Sequence, residues 1–376
     1  MTATTTPDAA SDALVRRSIE VIAEHQDVGG AYLASPTFSV YRFSWLRDGA
    51  FIADAMSRHG HHDSADRFFE WCARVINDRA DLIAQLIERS RNGDAVGRDE
   101  HLPTRFTVDG EPTGEDWWDF QLDGYGIWIF TLTEHLRRTG REATPGVVAA
   151  VERCVDYLGE FWTEPCFDWW EEHVDGVHVS TLASIEAGLR TAVDSGLVHA
   201  TRADAARAAS AAIVERIRAD AIIDGHLVKT LGRGDRVDAS LIAAFVPFGT
   251  FDPASELADR TYAKIVDDLA PDGVHRYLGD TYFGGGRWVV LAGLVGAFEA
   301  TTGRVAEARR RLGWIRDQQT TDGLLPEQTT DHVLDATYTN EWVQRWGPVA
   351  TPLLWSHAMY LTLVDELDLT QDPHHD

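Results

Sequence analysis

Lysine is nearly missing from this chain. Of 376 residues only Lys229 and Lys264 are lysines, so thirty-two of the thirty-four basic residues are arginines. That bias reads as a coding or salt adaptation, with no function attached to it. Cysteine is scarce as well. Cys72, Cys154 and Cys166 are an odd set without a CxxC spacing, which argues against a disulfide framework or a zinc knuckle. No run approaches eighteen apolar residues, so a membrane-spanning helix is excluded. The opening stretch, MTATTTPDAASDALVRRSIEV, has no basic segment followed by an apolar one, and the expected location is therefore the cytoplasm. Positive charge is also in deficit, 34 basic against 60 acidic residues, a net −26. Such a surface repels phosphate backbones and anionic lipid, which excludes nucleic acid and membrane surfaces as partners.

What is present is apolar material for a large core, 44% of residues, arranged with helical periodicity. Apolar positions at i, i+3, i+4 and i+7 predict twelve helices near 9–25, 46–60, 64–90, 119–140, 144–163, 178–198, 201–220, 237–246, 253–269, 285–302, 304–320 and 347–369. Short hairpins are expected only at 103–109 and 173–180. No linker or composition break divides the chain, so one domain is expected, with tails at 1–8 and 370–376. Monomer and homodimer are both compatible with this pattern.

The connections alternate. Links after the even helices are short (HGHHD, TGREAT, GLVHATR, FGTFD, ATTGRV) and links after the odd ones are long. Eight of the thirteen tryptophans lie in or beside the long links. Six helical hairpins with short turns at one end and long loops at the other predict an all-α, single-domain (α/α)6 barrel. Its even helices would line the inside, and its long loops would build one mouth, where binding and catalysis tend to sit.

The loop chemistry points to sugar. Tyr41-Arg-Phe-Ser-Trp45-Leu-Arg47-Asp48 sets a guanidinium fork and a carboxylate, suited to vicinal hydroxyls, beside aromatic faces; it reads equally as a helix N-terminus with an acid in its first turn. Glu115-Asp-Trp117-Trp118-Asp119-Phe-Gln121-Leu-Asp123 reads as a carbohydrate platform or as a cap with core packing. In Asp168-Trp169-Trp170-Glu171-Glu172-His173, tryptophan beside a carboxyl desolvates it and raises its pKa, as a general acid requires. Consecutive glutamates also point to different sides. His275-Arg276-Tyr277 through Tyr282 to Arg287-Trp288 combines a hydroxyl-gripping arginine with glycines that allow close approach. Leu-Pro-Glu327-Gln328 offers a second carboxylate in a loop poor in basic partners, although taken alone it reads as an ordinary turn. Arg236, in the Gly232–Arg236 loop, is expected near the mouth. The histidines at 59, 61 and 62 read as a solvated turn, and His357 as a core histidine.

Taken in order, the motifs YRFSWLRDGAF, DWWDFQLDGYG, FDWWEEH, VDASLIAAFVPFG, HRYLGDTYFGGGRW and LPEQ with GPVATPLLWSHAMYL resemble glycoside hydrolase family 15, the glucoamylase-like enzymes. The resemblance spans about residues 41–362. It implies an (α/α)6 barrel, with Glu171 as general acid, Glu327 as general base and Tyr41 beside the attacking water. It implies that Arg47 and Asp48 hold the outer hydroxyls of the terminal glucose. Trp45, Trp117, Trp118, Trp170, Arg276, Tyr282 and Trp288 would contact sugar, with Glu172 at the edge of the next subsite. The implied reaction is inverting release of β-glucose from the non-reducing end of an α-glucoside, without metal or organic cofactor. The compact form looks most like the isomaltose-hydrolysing branch acting on small oligosaccharides. Maltose-type α-1,4 hydrolysis and trehalose hydrolysis are the alternatives within the family, and a non-catalytic sugar-binding protein or a polysaccharide lyase the alternatives outside it.

Overall fold

The computed structural model describes residues 9–369; the tails expected at 1–8 and 370–376 lie outside the described residues. The chain begins with α1 (Ala9–Glu24), followed by α2 (Leu46–Arg58), α3 (His62–Asn77), α4 (Ala80–Arg91), α5 (Asp123–Thr139), α6 (Pro145–Phe161), α7 (Val179–Asp194) and α8 (Ala200–Asp220). A six-residue 3-10 helix (Ala239–Ala244) precedes α9 (Glu256–Leu269), α10 (Val289–Thr301), α11 (Val305–Asp317), α12 (Thr339–Trp346) and α13 (Leu354–Leu369).

Helices α2, α5, α7, the 3-10 helix, α10 and α13 each pack on the next, and α13 returns to α2, closing an inner ring of six. These elements are apolar or small on nearly every side: α10 is buried from Val289 through Ala300 and α5 from Asp123 through Thr133. A helix without a polar face has to be surrounded. The outer helices α1, α3, α6, α8, α9 and α11 cover the ring and are amphipathic by contrast; α9 buries Ala258, Thr261, Ile265 and Leu269 at helical spacing. At the short-turn end, Arg58 on α2 contacts Asp54, Asp365 and Glu366, each at 2.8 Å, and Arg138 on α5 reaches Asp54 at 2.9 Å. Three inner helices are thereby pinned through charge at the end opposite the long loops.

The expected helix over 64–90 is broken at Asp78–Arg79. The Arg79 guanidinium turns back to donate to the Val75 and Gly110 carbonyls, both at 2.8 Å, and lies 4.7 Å over the Phe106 ring. The expected helix at 237–246 is the shorter 3-10 segment, and Pro247, which has no amide hydrogen to donate, stands three residues beyond its end. Residues Arg105–Phe106 (β2) pair antiparallel with Ser44–Trp45 (β1), tying two mouth loops together, and Phe106 also bridges to Pro112. At 173–180 there is no hairpin; His178 bridges instead to Thr230. The hairpin of that region joins Ile222–Ile223 (β3) and His226–Leu227 (β4) through Asp224 and Gly225, both at positive φ (50° and 81°), the geometry of an Asp-Gly turn.

The inner ring closes tightly because α5 and α7 meet at glycine. A Cβ on Gly126 would stand 2.3 Å from the Ser184 carbonyl oxygen, and one on Gly188 2.7 Å from the Gly126 carbonyl oxygen. Gly126→Ala should therefore lower stability by about 1–3 kcal/mol through overpacking. Gly159→Ala on α6, where nothing lies within 4 Å, should leave stability unchanged or raise it by up to about 1 kcal/mol. Denaturant titration of the two variants checks the contrast.

Candidate active site

The long loops converge on a pocket that opens to solvent. Every one of the thirteen residues singled out from sequence lines it: Tyr41, Trp45, Arg47, Asp48, Trp117, Trp118, Trp170, Glu171, Glu172, Arg276, Tyr282, Trp288 and Glu327.

Glu171 sits on a tight turn after α6. The Asp168 carboxylate accepts from the backbone N–H of Trp170 (3.0 Å) and of Glu172 (2.9 Å), and the Asp168 N–H donates to the Glu172 carbonyl at 3.0 Å. The turn closes with Glu171 at φ 65°, a region that non-glycine residues enter at a cost. That backbone aims the two glutamates apart. The Glu171 carboxyl meets Trp45 Nε1 (2.7 Å), Trp117 Nε1 (2.9 Å) and Gln121 Nε2 (3.0 Å), all donors, with Arg47 Nη2 at 3.8 Å. Burial pushes its pKa up; Arg47 and the three donors oppose the rise without cancelling it. Glu172 instead accepts from the Tyr277 hydroxyl and from Arg276 Nη2 at 3.3 Å.

Glu327 is delivered by a short extended stretch. Its N–H donates to the Ala350 carbonyl (2.9 Å), and Gln328 bridges to Trp288. The side chain is 2% exposed. The Tyr41 hydroxyl donates to its Oε1 at 3.0 Å, the Tyr282 hydroxyl lies 2.9 Å from that of Tyr41, and Oε2 has no partner among the described residues. Burial drives its pKa up to about 8, against the pull of Tyr41. Tyr41 is itself buried, which with the Glu327 charge holds its phenol well above the ordinary range, so it remains a donor. Tyr41 and Trp45 meet edge to face at 5.6 Å. The two carboxyls are thus linked through Trp45 and Tyr41.

Arg47 and Asp48 open α2. Arg47 is 5% exposed and donates to Gln121 and Asp123, both at 2.8 Å. Asp48 is driven by burial to about 7, against the pull of Arg47. Arg276 is less free than its motif suggests: Asp280 grips it in a fork, and the faces of Trp170, Tyr282 and Trp288 lie 5.4, 5.3 and 5.1 Å away. Trp117 rests 3.7 Å from the buried Arg105 guanidinium. Arg236, expected near the mouth, is not among the lining residues; its loop is drawn aside, with its carbonyl accepting from Lys229 and Arg233 donating to the Asp175 carbonyl. His357 is a core residue bonded to Ser18 and to the Leu325 N–H.

Sequence reasoning gave no individual role to Gln121, which donates to Glu171, or to the lining residues Trp169, Trp342 and Trp346, which it placed only among the eight tryptophans of the mouth loops, and it passed over Trp355. Gln121 stands inside the DWWDFQLDG motif, its role hidden because an amide carries no titration signature. Trp342 and Trp346 belong to α12, which was read as loop. The α12 helix buries no residue fully and is held by ring contacts to Tyr282 and by Trp342 Nε1 donating to the Thr281 carbonyl at 2.9 Å.

Residues 8–290 match the family described as Glycosyl hydrolases family 15. The chain is 47% identical over 362 residues to the isomaltose glucohydrolase of Kribbella flavida, covering 95% of this chain and 93% of that protein. It superposes with TM-score 0.93 on a glycosidase solved as a glutamate-to-alanine variant in complex with glucose, at 45% identity over 96% of this chain and 98% of that one. A glucoamylase from Saccharomycopsis fibuligera shares the fold at TM-score 0.71 and 15% identity, covering 99% of both chains.

A carboxyl whose folded pKa lies near 8 binds its proton more tightly than in the unfolded chain, where the ordinary value is 4.5. Stability should then fall as pH rises from about 4.5 to 8, and Asp48 adds to the same slope. Glu327→Gln should flatten the decline and exceed the parent protein at pH 8 by on the order of a few kcal/mol. Melting temperatures of both proteins from pH 5 to 8 decide it; parallel curves would mean that Glu327 ionises freely.

Proposed function

The chain belongs to glycosyl hydrolases family 15, and from that membership together with the pocket we infer an inverting exo-acting α-glucosidase whose substrate is isomaltose and short α-1,6 relatives. The observation that carries the reading is the pairing of Glu171 and Glu327 in one tryptophan-walled pocket, next to the Arg47–Asp48 pair. The isomaltose glucohydrolase of Kribbella flavida, 47% identical, supports the linkage. The location we infer is the cytoplasm, which fits three cysteines that are all free and buried.

In this reading the terminal glucose fills the inner end of the pocket. Arg47 and Asp48 hold its outer hydroxyls, and the indole faces cover its apolar side. Glu171 gives its proton to the glycosidic oxygen as that bond breaks. Glu327 takes a proton from a water held beside Tyr41, and the oxygen of that water bonds to the anomeric carbon from the opposite ring face. The aglycone leaves as an alcohol and the sugar as β-glucose, with water consumed. The partnerless Glu327 Oε2 is where that water donates, and the hydrogen bond favours the ionised form.

One observation favours a second reading. The three donors around Glu171 suit a carboxylate, while the sparsely bonded Glu327, with its pKa near 8, suits an acid. Exchanged roles would follow if substrate left this order unchanged.

α-Glucosyl fluoride separates the two, because fluoride departs without general acid help. Glu171→Gln and Glu327→Gln should each lower turnover of isomaltose by at least about 10³-fold. Glu171→Gln should keep much of its activity on the fluoride and Glu327→Gln should lose it; the reverse result would exchange the roles. Proton NMR in the first minutes should show β-glucose from isomaltose. A preference for maltose or trehalose would overturn the linkage, and α-glucose would overturn inversion.

A further inference from the structure

One of the chain's two lysines is sealed beneath the Glu171 turn. Lys229 is 8% exposed, and its Nζ lies 2.9 Å from Asp168 Oδ2 and 2.6 Å from Asp238 Oδ2. Asp168 is the carboxylate whose other oxygen fixes the amides of Trp170 and Glu172. Asp238 accepts from Trp170 Nε1 at 2.8 Å and, through its second oxygen, from the N–H and hydroxyl of Ser240 on the 3-10 helix. The same ammonium stands 3.8 Å from the centre of the Tyr277 ring, whose hydroxyl donates to Glu172. One cation therefore meets three side chains that support the turn: Asp168, which holds its backbone amides, Asp238, which holds the Trp170 indole, and Tyr277, which holds Glu172.

Stability alone does not account for this arrangement. Two carboxylates and an ammonium taken out of water are often no more stable than well-packed apolar residues of the same volume, whereas such groups can hold one conformation against others. Burial pushes the Asp168 carboxyl up, and Lys229 with His178 pulls it below its ordinary value, so the cap on the turn stays ionised. A guanidinium is broader and planar; a compact ammonium can meet two carboxylates and a ring at once. In a chain that elsewhere uses arginine almost without exception, this position holds lysine.

We propose that Lys229 is a positioning residue for hydrolysis, locking the 168–172 turn through Asp168, Asp238 and Tyr277 so that Glu171 meets the scissile bond in one orientation. The proposal rests on the glycosidase reading of the pocket. Glu171 is already at φ 65°, and without Lys229 the turn relaxes and the carboxyl leaves its three donors part of the time.

The test uses two variants, Lys229→Met and the charge-balanced Lys229→Met/Asp238→Asn, with Lys264→Met on α9 as control. The balanced pair guards against misfolding caused by two unneutralised carboxylates. Steady-state kinetics on isomaltose should show kcat falling at least tenfold with KM changed less than threefold, while Lys264→Met matches the parent. Hydrogen–deuterium exchange should quicken at least tenfold in the 167–173 segment and stay unchanged in α10, which reports that the barrel is intact. Exchange and kcat both within twofold of the parent in the balanced variant would overturn the proposal. So would faster exchange with an unchanged kcat, because the turn's rigidity would then be irrelevant to the chemistry. If the parent protein hydrolysed no α-glucoside, the reading of the pocket would fall, yet the exchange experiment would still decide whether Lys229 holds the turn.

Discussion

A buried guanidinium joins the scaffold to the chemistry. Arg47 lies in the first turn of α2, bonds Asp123 at the start of α5, fixes Gln121 by its amide oxygen and stands 3.8 Å from Glu171. A charge so deep has to be answered by other charges or by hydrogen bonds, because desolvation is expensive. Its partners cannot move independently: Gln121, held at one end by Arg47, presents its other end to Glu171. The register between two inner helices therefore sets the orientation of a carboxyl that belongs to neither of them.

The tryptophans act on charge as much as on sugar. Trp45 and Trp117 give their indole N–H groups to Glu171 while their rings keep water from it. Apolar walls raise the pKa of any carboxyl they enclose, and hydrogen bonds to the ionised form lower it again. Glu171 receives both influences; Glu327 receives mainly the first. A neutral sugar entering such a site changes this balance by displacing water and bringing its own hydroxyl donors, so the proton's place is settled by the complex of protein and ligand.

What sequence made legible follows from the kind of signal each element leaves. The inner helices are apolar all round and the outer ones striped, and the alternating link lengths place their two ends. The mouth residues fall in dense aromatic and acidic motifs, and all thirteen reach the pocket. Less legible were features decided by a single tertiary contact. The break between α3 and α4 depends on Arg79 finding Gly110 and Phe106 from a distant loop. Short α12 has an amphipathic pattern but no apolar face deep enough to separate it from a loop. The Asp224-Gly225 turn was readable in principle and was passed over among helices. Lys229 looked like a remnant of composition, because nothing near it in sequence announces Asp168, sixty-one positions away.

The two lysines also give the protein an unusual chemical surface. Lys229 is closed off by its ion pairs, which leaves Lys264, on outer helix α9 beside Asp268, as the lysine amine that reagents in solution meet. Among the lysine side chains, acylating dyes and cross-linkers should then favour one known point on the barrel wall, away from the residues that line the pocket. The same scarcity bears on durability. Reducing sugars slowly condense with lysine amines, and this protein offers that reaction a single open lysine side chain.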